Sequence, residues 1–249
     1  MQQMIDLSAG NEARMPSFVD LGAFLAERLG ALRDLPQGGQ SFLQRRVALQ
    51  AADRTSPVGA ILLTHEYGHV PAMPADEFVL VVQGRVEFVT KNGTVTLEDG
   101  DAAVLPMGCA FDWKAENEAQ LLFMRYPGST ASDTPITPLS KAPEFLPSAK
   151  PAADILVGPA PECSNHNDYR VDDGRFVCGT WTSTAYHRHG FRYGHYEIMY
   201  LLAGSVTLTD ETGRSQTFAK GDIVLAEEGA HCAWQSREDV TKLFAIYRV

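Results

Sequence analysis

Short runs of apolar and β-branched residues recur along most of the chain, and turn residues separate them. Residues 47–126 contain VGAILLT, EFVLVV, VEFVT, TVTL and LLFMRY, and residues 169–249 contain a similar series. The turn sequences between the runs include KNG at 91–93 and EDG at 98–100. Short strands at this regular spacing predict antiparallel sandwiches or barrels rather than alternating strands and helices.

The pattern of the first half returns in the second half. Glu77 and Gly84 in EFVLVVQG correspond to Glu197 and Gly204 in EIMYLLAG, a shift of 120 positions. After a slip of one residue, GDAAVLPMG corresponds to GDIVLAEEG, and LLFMRY corresponds to KLFAIY. A chain of 249 residues is long enough for two domains that each bury a core. The repeat therefore predicts two copies of one small β-domain in tandem.

The N-terminal region lies outside the repeat and has a helical pattern. Pro16 suits a first helical turn, and the PQGG sequence at 36–39 suits a helix end. Between them, five apolar residues share one face of the predicted helix: Phe18, Leu21, Leu25, Leu29 and Leu32.

These patterns divide the chain into four segments. Residues 1–45 are the N-terminal extension, 46–127 the first barrel, 128–165 a linker and 166–249 the second barrel. The linker is rich in Pro, Ser, Thr and Ala, which is typical of an extended connection. The predicted fold class is all-β, with two tandem jelly-roll barrels and a short N-terminal helical extension.

Composition and charge argue against some classes of binding partner. The formal net charge of −10 argues against nucleic acid and against an anionic membrane, because both need a basic face. No apolar run has the length of a membrane span, and the first residues lack the pattern of a secretory signal. The four cysteines are scattered without a Cys-x-x-Cys pair, which favours reduced thiols. A cytoplasmic protein is expected.

The repeated residues resemble the two motifs of the cupin superfamily. Glu-x6-Gly at 77–84 is followed by Gly-Asp-x4-Pro-x-Gly at 100–108. The second copy lies at 197–204 and 221–229, with Glu227 in place of the proline. The resemblance covers both repeats and implies a jelly-roll bicupin that forms a homodimer.

A tryptophan follows the second motif in each half, at Trp113 and Trp234. This feature is similar to the cupin 3 branch, which includes ethanolamine-utilisation and ureidoglycine aminohydrolase relatives. The Glu-x-His-x3-His pattern of the aminohydrolases is absent here, so the resemblance does not carry that activity over.

Cupin enzymes typically hold a metal with three histidines and one glutamate. The positions that the resemblance assigns to the first two histidines are 70–73 and 190–193, and neither range contains histidine. The later histidine position is Phe111 or Cys232, so neither half keeps the usual set. The first half, with apolar residues at its pocket positions, is interpreted as a structural or assembly barrel.

The second half concentrates the candidate chemistry in YHRHGFRYGHYE. Strand alternation places Tyr193, His195 and Glu197 on one face, which the cupin register makes the interior. Cys232 and Trp234 point inward in the same register. The predicted ligand-binding residues are Trp181, Tyr193, His195, Glu197, Cys232 and Trp234.

A metal site is one interpretation of these residues. His195, Glu197 and Cys232 would hold a divalent transition metal with one position open for water or substrate. His187 and His189 would join them if the strand bulges at Gly190 or Gly194, and otherwise lie at a strand edge or on the surface.

Other interpretations stay open at this point. His195 and Glu197 also suit an acid–base pair or a hydrogen-bonded core pair, and Cys232 suits an inert buried thiol. Arg188 and Arg192 suit bidentate recognition of a carboxylate or phosphate, or are solvated turn residues.

Three functions follow from these alternatives. The first is a metal-dependent enzyme acting on a small polar metabolite, and the second is metal-free binding of a small ligand such as a carboxylate or sugar derivative. The third is a purely structural or partner-binding protein. We favour a small-molecule pocket in the second barrel, and the sequence assigns neither a reaction nor a catalytic residue.

Overall fold

The computed structural model describes residues 15–35, 41–50 and 55–249. The chain forms two compact units. The N-terminal unit contains the described residues from Ala23 to Pro138, and the C-terminal unit combines residues 15–22 with Leu139–Val249. Each unit has two antiparallel sheets around its own apolar core.

The first part of the chain carries one strand of the C-terminal unit, two helices and the strands of the N-terminal unit. They are β1 (Phe18–Asp20), α1 (Leu21–Arg33), α2 (Ser41–Gln44), β2 (Arg46–Gln50), β3 (Thr55–Leu63), β4 (Glu66–Val70), β5 (Asp76–Gln83), β6 (Arg85–Thr90), β7 (Gly93–Glu98), β8 (Ala102–Leu105), β9 (Phe111–Ala115), β10 (Ala119–Tyr126) and β11 (Thr137–Pro138).

The second part carries the remaining strands and one turn of 3₁₀-helix at Ala153–Ile155. The strands are β12 (Leu146–Pro147), β13 (Cys163–Arg170), β14 (Phe176–Ser183), β15 (His187–Arg192), β16 (Tyr196–Ala203), β17 (Ser205–Asp210), β18 (Ser215–Ala219), β19 (Ile223–Ala226), β20 (His231–Gln235) and β21 (Val240–Tyr247).

The two units share one topology. In the N-terminal unit, the sheet β11-β8-β5-β10-β3-β2 packs against the sheet β4-β9-β6-β7. In the C-terminal unit, the sheet β1-β19-β16-β21-β14-β13-β12 packs against the sheet β15-β20-β17-β18. Strands at equivalent positions therefore carry the repeated sequence, which explains why its apolar pattern recurs.

The predicted fold class is confirmed: the described chain is all-β, with two tandem units and a short N-terminal helix. No helix among the described residues combines the length and the apolar character needed to cross a membrane. The four cysteines are free thiols.

The predicted N-terminal helix exists, but it starts later than its apolar pattern indicated. Leu21, Leu25 and Leu32 are buried on α1 as expected, whereas Leu29 is half-buried. Phe18 was placed on the same helical face, which is wrong. It lies in β1, because this segment pairs with β19 and its backbone hydrogen bonds go to a sheet edge.

Strand β1 completes the large sheet of the C-terminal unit. Phe18 is 1% exposed and packs edge-to-face on Phe218. The Ser17 backbone N–H donates to Glu227 Oε2 at 3.0 Å, so the glutamate that replaces a proline in the second repeat anchors this strand. In the N-terminal unit, β11 takes the equivalent edge beside β8.

The segment 128–165, predicted as a linker, belongs to both sheet systems. It contributes β11 to the N-terminal unit, and β12 with the start of β13 to the C-terminal unit. Its Pro-rich composition did not reveal these contacts, because the strands are only two residues long at β11 and β12.

Candidate functional site

The repeated glutamate lies near the start of equivalent strands, as Glu77 on β5 and Glu197 on β16. The glycine that ends each strand is required by the backbone. Gly84 and Gly204 have φ of 94° and 75°, and a Cβ there would lie 2.3 and 2.1 Å from the carbonyl oxygens of Glu118 and Asp239. Both glutamates are buried in the interior of their units.

In the N-terminal unit, arginine side chains of the same chain hydrogen-bond both oxygens of the glutamate. Glu77 is fully buried, and its two oxygens accept hydrogen bonds from Arg46 at 2.7 and 2.8 Å and from Arg125 at 2.9 Å. Burial alone would raise the pKa of Glu77, but the two guanidinium groups outweigh it and hold the pKa below its ordinary value.

The rest of this interior is filled by aromatic side chains. Phe42 from α2 makes edge-to-face contacts with Phe88 and Phe111, and its ring lies 5.2 Å from the Arg46 guanidinium. Trp113 also belongs to this core. A cleft of about 380 Å³ on the unit's surface is lined by His69 and Lys91, whose ion pairs are exposed and screened by water.

The C-terminal unit contains a cavity of about 570 Å³ at the equivalent place. The side chains of Lys242, Phe244 and Ile246 alternate along β21 into this cavity, and Trp181 is the cross-strand neighbour of Lys242. The other wall carries polar and aromatic groups from β13, β15, β16, β20 and the β15–β16 connection: Asn165, Arg188, Phe191, Tyr193, His195, Glu197 and Trp234.

A cation–carboxylate cluster lies at the centre of this wall. Lys242 Nζ donates to Glu197 Oε1 at 2.8 Å, and His195 Nε2 lies 3.5 Å from Glu197 Oε2. The ammonium also sits over the rings of Trp181 and Trp234, at 4.9 and 5.2 Å from their centroids. Burial alone would raise the pKa of Glu197, but Lys242 and His195 lower it far below its ordinary value, so this carboxylate stays ionised.

A second cation lies beside this cluster without a carboxylate. The Arg188 guanidinium donates to the Cys232 carbonyl and to the Tyr193 hydroxyl, both at 2.8 Å, and stacks on Phe191 at 4.2 Å. Burial raises the pKa of Tyr193 to about 12, so its hydroxyl keeps its proton. Arg188 was one of two arginines proposed for anion recognition; the other, Arg192, is exposed outside the cavity.

The predicted ligand-binding residues separate into two groups. Trp181, Tyr193, His195, Glu197 and Trp234 line the cavity together. Cys232 does not, because its side chain is fully buried in the apolar core, and burial raises the pKa of its thiol to about 11. The fully protonated thiol is the inert alternative considered for this residue.

The proposed metal set is not brought together. His187 and His189 lie on β15, where the register shifts between Arg188 and Phe191, but their rings do not reach the cavity. Among the described residues, no three His, Cys, Asp or Glu side chains are grouped to hold a metal ion. The donor set also fails chemically, because Glu197 already binds an ammonium and Arg188 adds a second cation. A cupin-type metal centre does not fit these residues.

The sequence analysis missed two polar or extended contributors to the cavity, besides the lining aromatic and aliphatic residues Tyr186, Phe191, Phe244 and Ile246. Lys242 is the only charged residue of β21 and stands where the first repeat has Leu121. This difference between the repeats was the available signal. The other contributor is the predicted linker, whose residues 149–152 and Ile155 form part of the cavity wall. No local pattern marks that segment as a wall.

Comparison with known proteins adds family evidence to this geometry. The model of the EutQ-like cupin domain matches residues 71–119 and 171–244, which fall in the two repeats. A search of curated proteins found no match.

Solved structures share the fold across most of the chain. A protein of the DUF861 family with unknown function, from Pseudomonas syringae pv. tomato, is 24% identical with a TM-score of 0.74, covering 93% of this chain and 100% of that one. Salicylate 1,2-dioxygenase from Pseudaminobacter salicylatoxidans is 15% identical with a TM-score of 0.60, covering 98% and 88%. A cupin 2 conserved barrel protein from Leptotrichia buccalis is 9% identical with a TM-score of 0.56, covering 94% and 98%. At these identities the likeness concerns the fold alone.

Proposed function

The chain is a bicupin of the cupin superfamily, and within that fold we propose that its C-terminal unit binds a small organic anion without a metal centre. The N-terminal unit, whose interior is filled, serves as a structural partner in the same chain. The ligand occupies the cavity of about 570 Å³, a volume within the usual range for small-molecule sites.

The buried guanidinium of Arg188 carries this proposal. Arg188 is 4% exposed, and no carboxylate of the described residues pairs with it. Its acceptors are neutral groups, the carbonyls of Cys232 and His189 and the hydroxyl of Tyr193. A buried charge is costly unless an opposite charge compensates it. An anionic ligand in the cavity supplies that charge and accepts charge-assisted hydrogen bonds.

The formal charges of the lining point in the same direction. Two cations, Arg188 and Lys242, face one carboxylate, Glu197, in the cavity wall. The third lining cation, Lys150, is paired with the exposed Glu162 at 2.6 Å. This excess of positive charge is local, because the whole chain carries a net charge of −10. A basic cavity in an acidic protein favours anions that are small enough to enter it.

Apolar side chains define the other part of the ligand. Trp181, Phe191, Phe244 and Ile246 form walls around the polar cluster. Such walls bury an apolar body while a few polar groups fix its orientation. The ligand class is therefore a carboxylic acid on a compact hydrocarbon or aromatic skeleton.

Isothermal titration with matched ligand pairs tests this function. We expect benzoate and butyrate to bind, and benzamide and butyramide, which lack the charge, to bind at least about tenfold more weakly. Arg188→Gln should remove the preference for the acids, and Arg192→Gln, which changes an exposed arginine on the same strand, should keep it.

Equal binding of acids and amides to the native protein would contradict the proposal. So would a thermal-shift series in which no small acid raises the melting temperature, because a ligand that binds the folded state must stabilise it. Circular dichroism of Arg188→Gln shows whether the variant folds. If it does not, the comparison of acids with amides on the native protein still tests the proposed anion binding.

A further inference from the structure

The two repeated glutamates differ in how completely their oxygens are hydrogen-bonded. Both oxygens of Glu77 accept short hydrogen bonds from guanidinium groups of the chain. Glu197 Oε1 is bonded to Lys242, but the neighbour of Oε2 is His195 Nε2 at 3.5 Å, beyond the usual range for a hydrogen bond. This buried His195 nitrogen has no hydrogen-bond partner within the described part of the chain.

The repeat relates this part of the cavity to the Arg46 position of the N-terminal unit. Gly59 and Gly179 occupy equivalent places, and a Cβ at each would collide with the outer strand, at 2.4 Å from Val47 O and 2.0 Å from His166 O. The residues one position earlier on those outer strands are Arg46 and Asn165.

Strand register supports the same pairing. Arg46 lies opposite Ile61, and Asn165 lies opposite Trp181. Ile61 and Trp181 are 120 positions apart, the same shift as between the two glutamates. Asn165 lines the cavity. The cavity therefore occupies a place in the C-terminal unit that corresponds to the guanidinium of Arg46 in the N-terminal unit.

We propose that the ligand of the C-terminal cavity carries a planar N–H cation, a guanidinium or amidinium, which hydrogen-bonds Glu197 as Arg46 hydrogen-bonds Glu77. This inference rests on the proposed function for the acid group of the same ligand, which binds Arg188. The ligand class is a small guanidino or amidino acid, and Arg46 is its built-in counterpart in the filled unit.

The surroundings of Arg46 have a counterpart in the cavity. Its guanidinium stacks on Phe123 at 4.8 Å, and the equivalent of Phe123 in the second repeat is Phe244, which lines the cavity. Guanidinium groups stack well on aromatic faces because they are planar and weakly hydrated. Phe244 and Trp181 offer such faces beside Glu197.

A second cation beside Lys242 is compatible with this cluster. The N-terminal unit already places two guanidinium groups, Arg46 and Arg125, on the single carboxylate of Glu77. A ligand that also carries a carboxylate adds no net charge to the cavity. The indole N–H of Trp234 has no hydrogen-bond partner among the described residues, but neither does that of Trp113 in the filled unit, so it gives no further information about the ligand.

A series of four-carbon acids separates this inference from the proposed function. We expect 4-guanidinobutyrate to bind at least about tenfold more tightly than butyrate in isothermal titration, one charge-assisted contact being enough for that ratio. Butylguanidine, which lacks the acid, should bind more weakly than 4-guanidinobutyrate. Glu197→Gln should remove the advantage of the guanidino acid over butyrate.

A variant that restores the arginine gives an independent test. Asn165→Arg should fill the cavity and bond Glu197, so that 4-guanidinobutyrate binding is lost while the melting temperature is maintained. Asn92→Arg, the same change at an exposed position outside this cavity, should leave binding unchanged.

The outcomes are distinguishable. If butyrate binds as tightly as 4-guanidinobutyrate, the inference is overturned while the proposed anion site stands. If none of these acids binds, both are overturned. Should Glu197→Gln or Asn165→Arg fail to fold, the ligand series on the native protein alone decides.

Discussion

A single buried ammonium organises the polar wall of the C-terminal cavity. Lys242 neutralises Glu197 at 2.8 Å and lies over two indole rings, so it is both counter-ion and packing group. An intact buried ion pair changes the free energy of folding little. Removing one partner destabilises the fold strongly, because the other charge stays buried without compensation.

Lys242→Met should therefore destabilise the C-terminal unit by about 3 kcal/mol, since Glu197 keeps its charge without its main partner. Urea unfolding followed by tryptophan fluorescence in a Trp113→Phe background measures this, because both remaining tryptophans lie in that unit. Lys150→Met, which breaks an exposed pair with Glu162, is the control and should change little. An equal effect of the two substitutions would contradict this account.

Some residues of the site are readable from sequence and others are not. Alternation along a strand predicted His195 and Glu197 on one side, and both line the cavity, although β16 begins at Tyr196 and His195 lies just before it. The same reasoning put Cys232 beside them, but a strand's register does not tell whether an inward side chain reaches a cavity or the packed core. The burial of Arg188 depends on contacts with Tyr193 and Cys232 across the sheet, which no local pattern records.

At the scale of elements, β1 shows how tertiary pairing decides secondary structure. Phe18 fits a helical apolar face equally well, and only the exposed edge of β19 selects the strand. Around it, Asp210 accepts hydrogen bonds from Ser17 Oγ at 2.6 Å and Arg214 Nε at 3.1 Å, and Arg214 also donates to the Phe18 carbonyl. This group of contacts fastens β1 to the sheet.

The fastening of β1 should weaken in acid. Burial alone would raise the pKa of Asp210, but hydrogen bonds from Ser17, Thr212 and Arg214 hold it well below the ordinary value. The stabilisation is thus complete above about pH 4, the ordinary aspartate pKa, and is lost as the pH falls below it toward the folded-state pKa.

Melting temperatures of the native protein and Asp210→Asn between pH 2.5 and 7 check this expectation. The native protein should be more stable by a constant margin above about pH 5, and the margin should shrink below about pH 4. Glu211→Gln, at the exposed neighbouring position, should follow the native profile. A margin independent of pH would show that the Asp210 charge does not hold the strand.

At the scale of the whole molecule, one repeated sequence gives a filled unit and an open one. The shared glycines, glutamates and strand pattern made the tandem fold predictable. The difference arises from few positions, above all Arg46 against Asn165, together with Phe42, which comes from α2 outside the repeated strands. These are changes of side-chain volume, and only the assembled core shows what they leave empty.

Ligand protection should consequently be confined to one unit. Hydrogen exchange with 4-guanidinobutyrate present should slow in β15, β16 and β21, which line the cavity, and stay unchanged in β5, where the Glu77 cluster leaves no comparable space. Slower exchange in β5 would contradict the division of roles between the units.

The attachment of β1 also has a consequence for synthesis of the chain. Ser17 and Glu227 are 210 positions apart in the sequence. The ribosome therefore synthesises β19 long after β1, the strand that pairs with it. At ordinary rates of translation the delay is roughly 10–40 s. During that interval Phe18 has no sheet to enter, and the nascent chain exposes an apolar segment that chaperones are suited to hold.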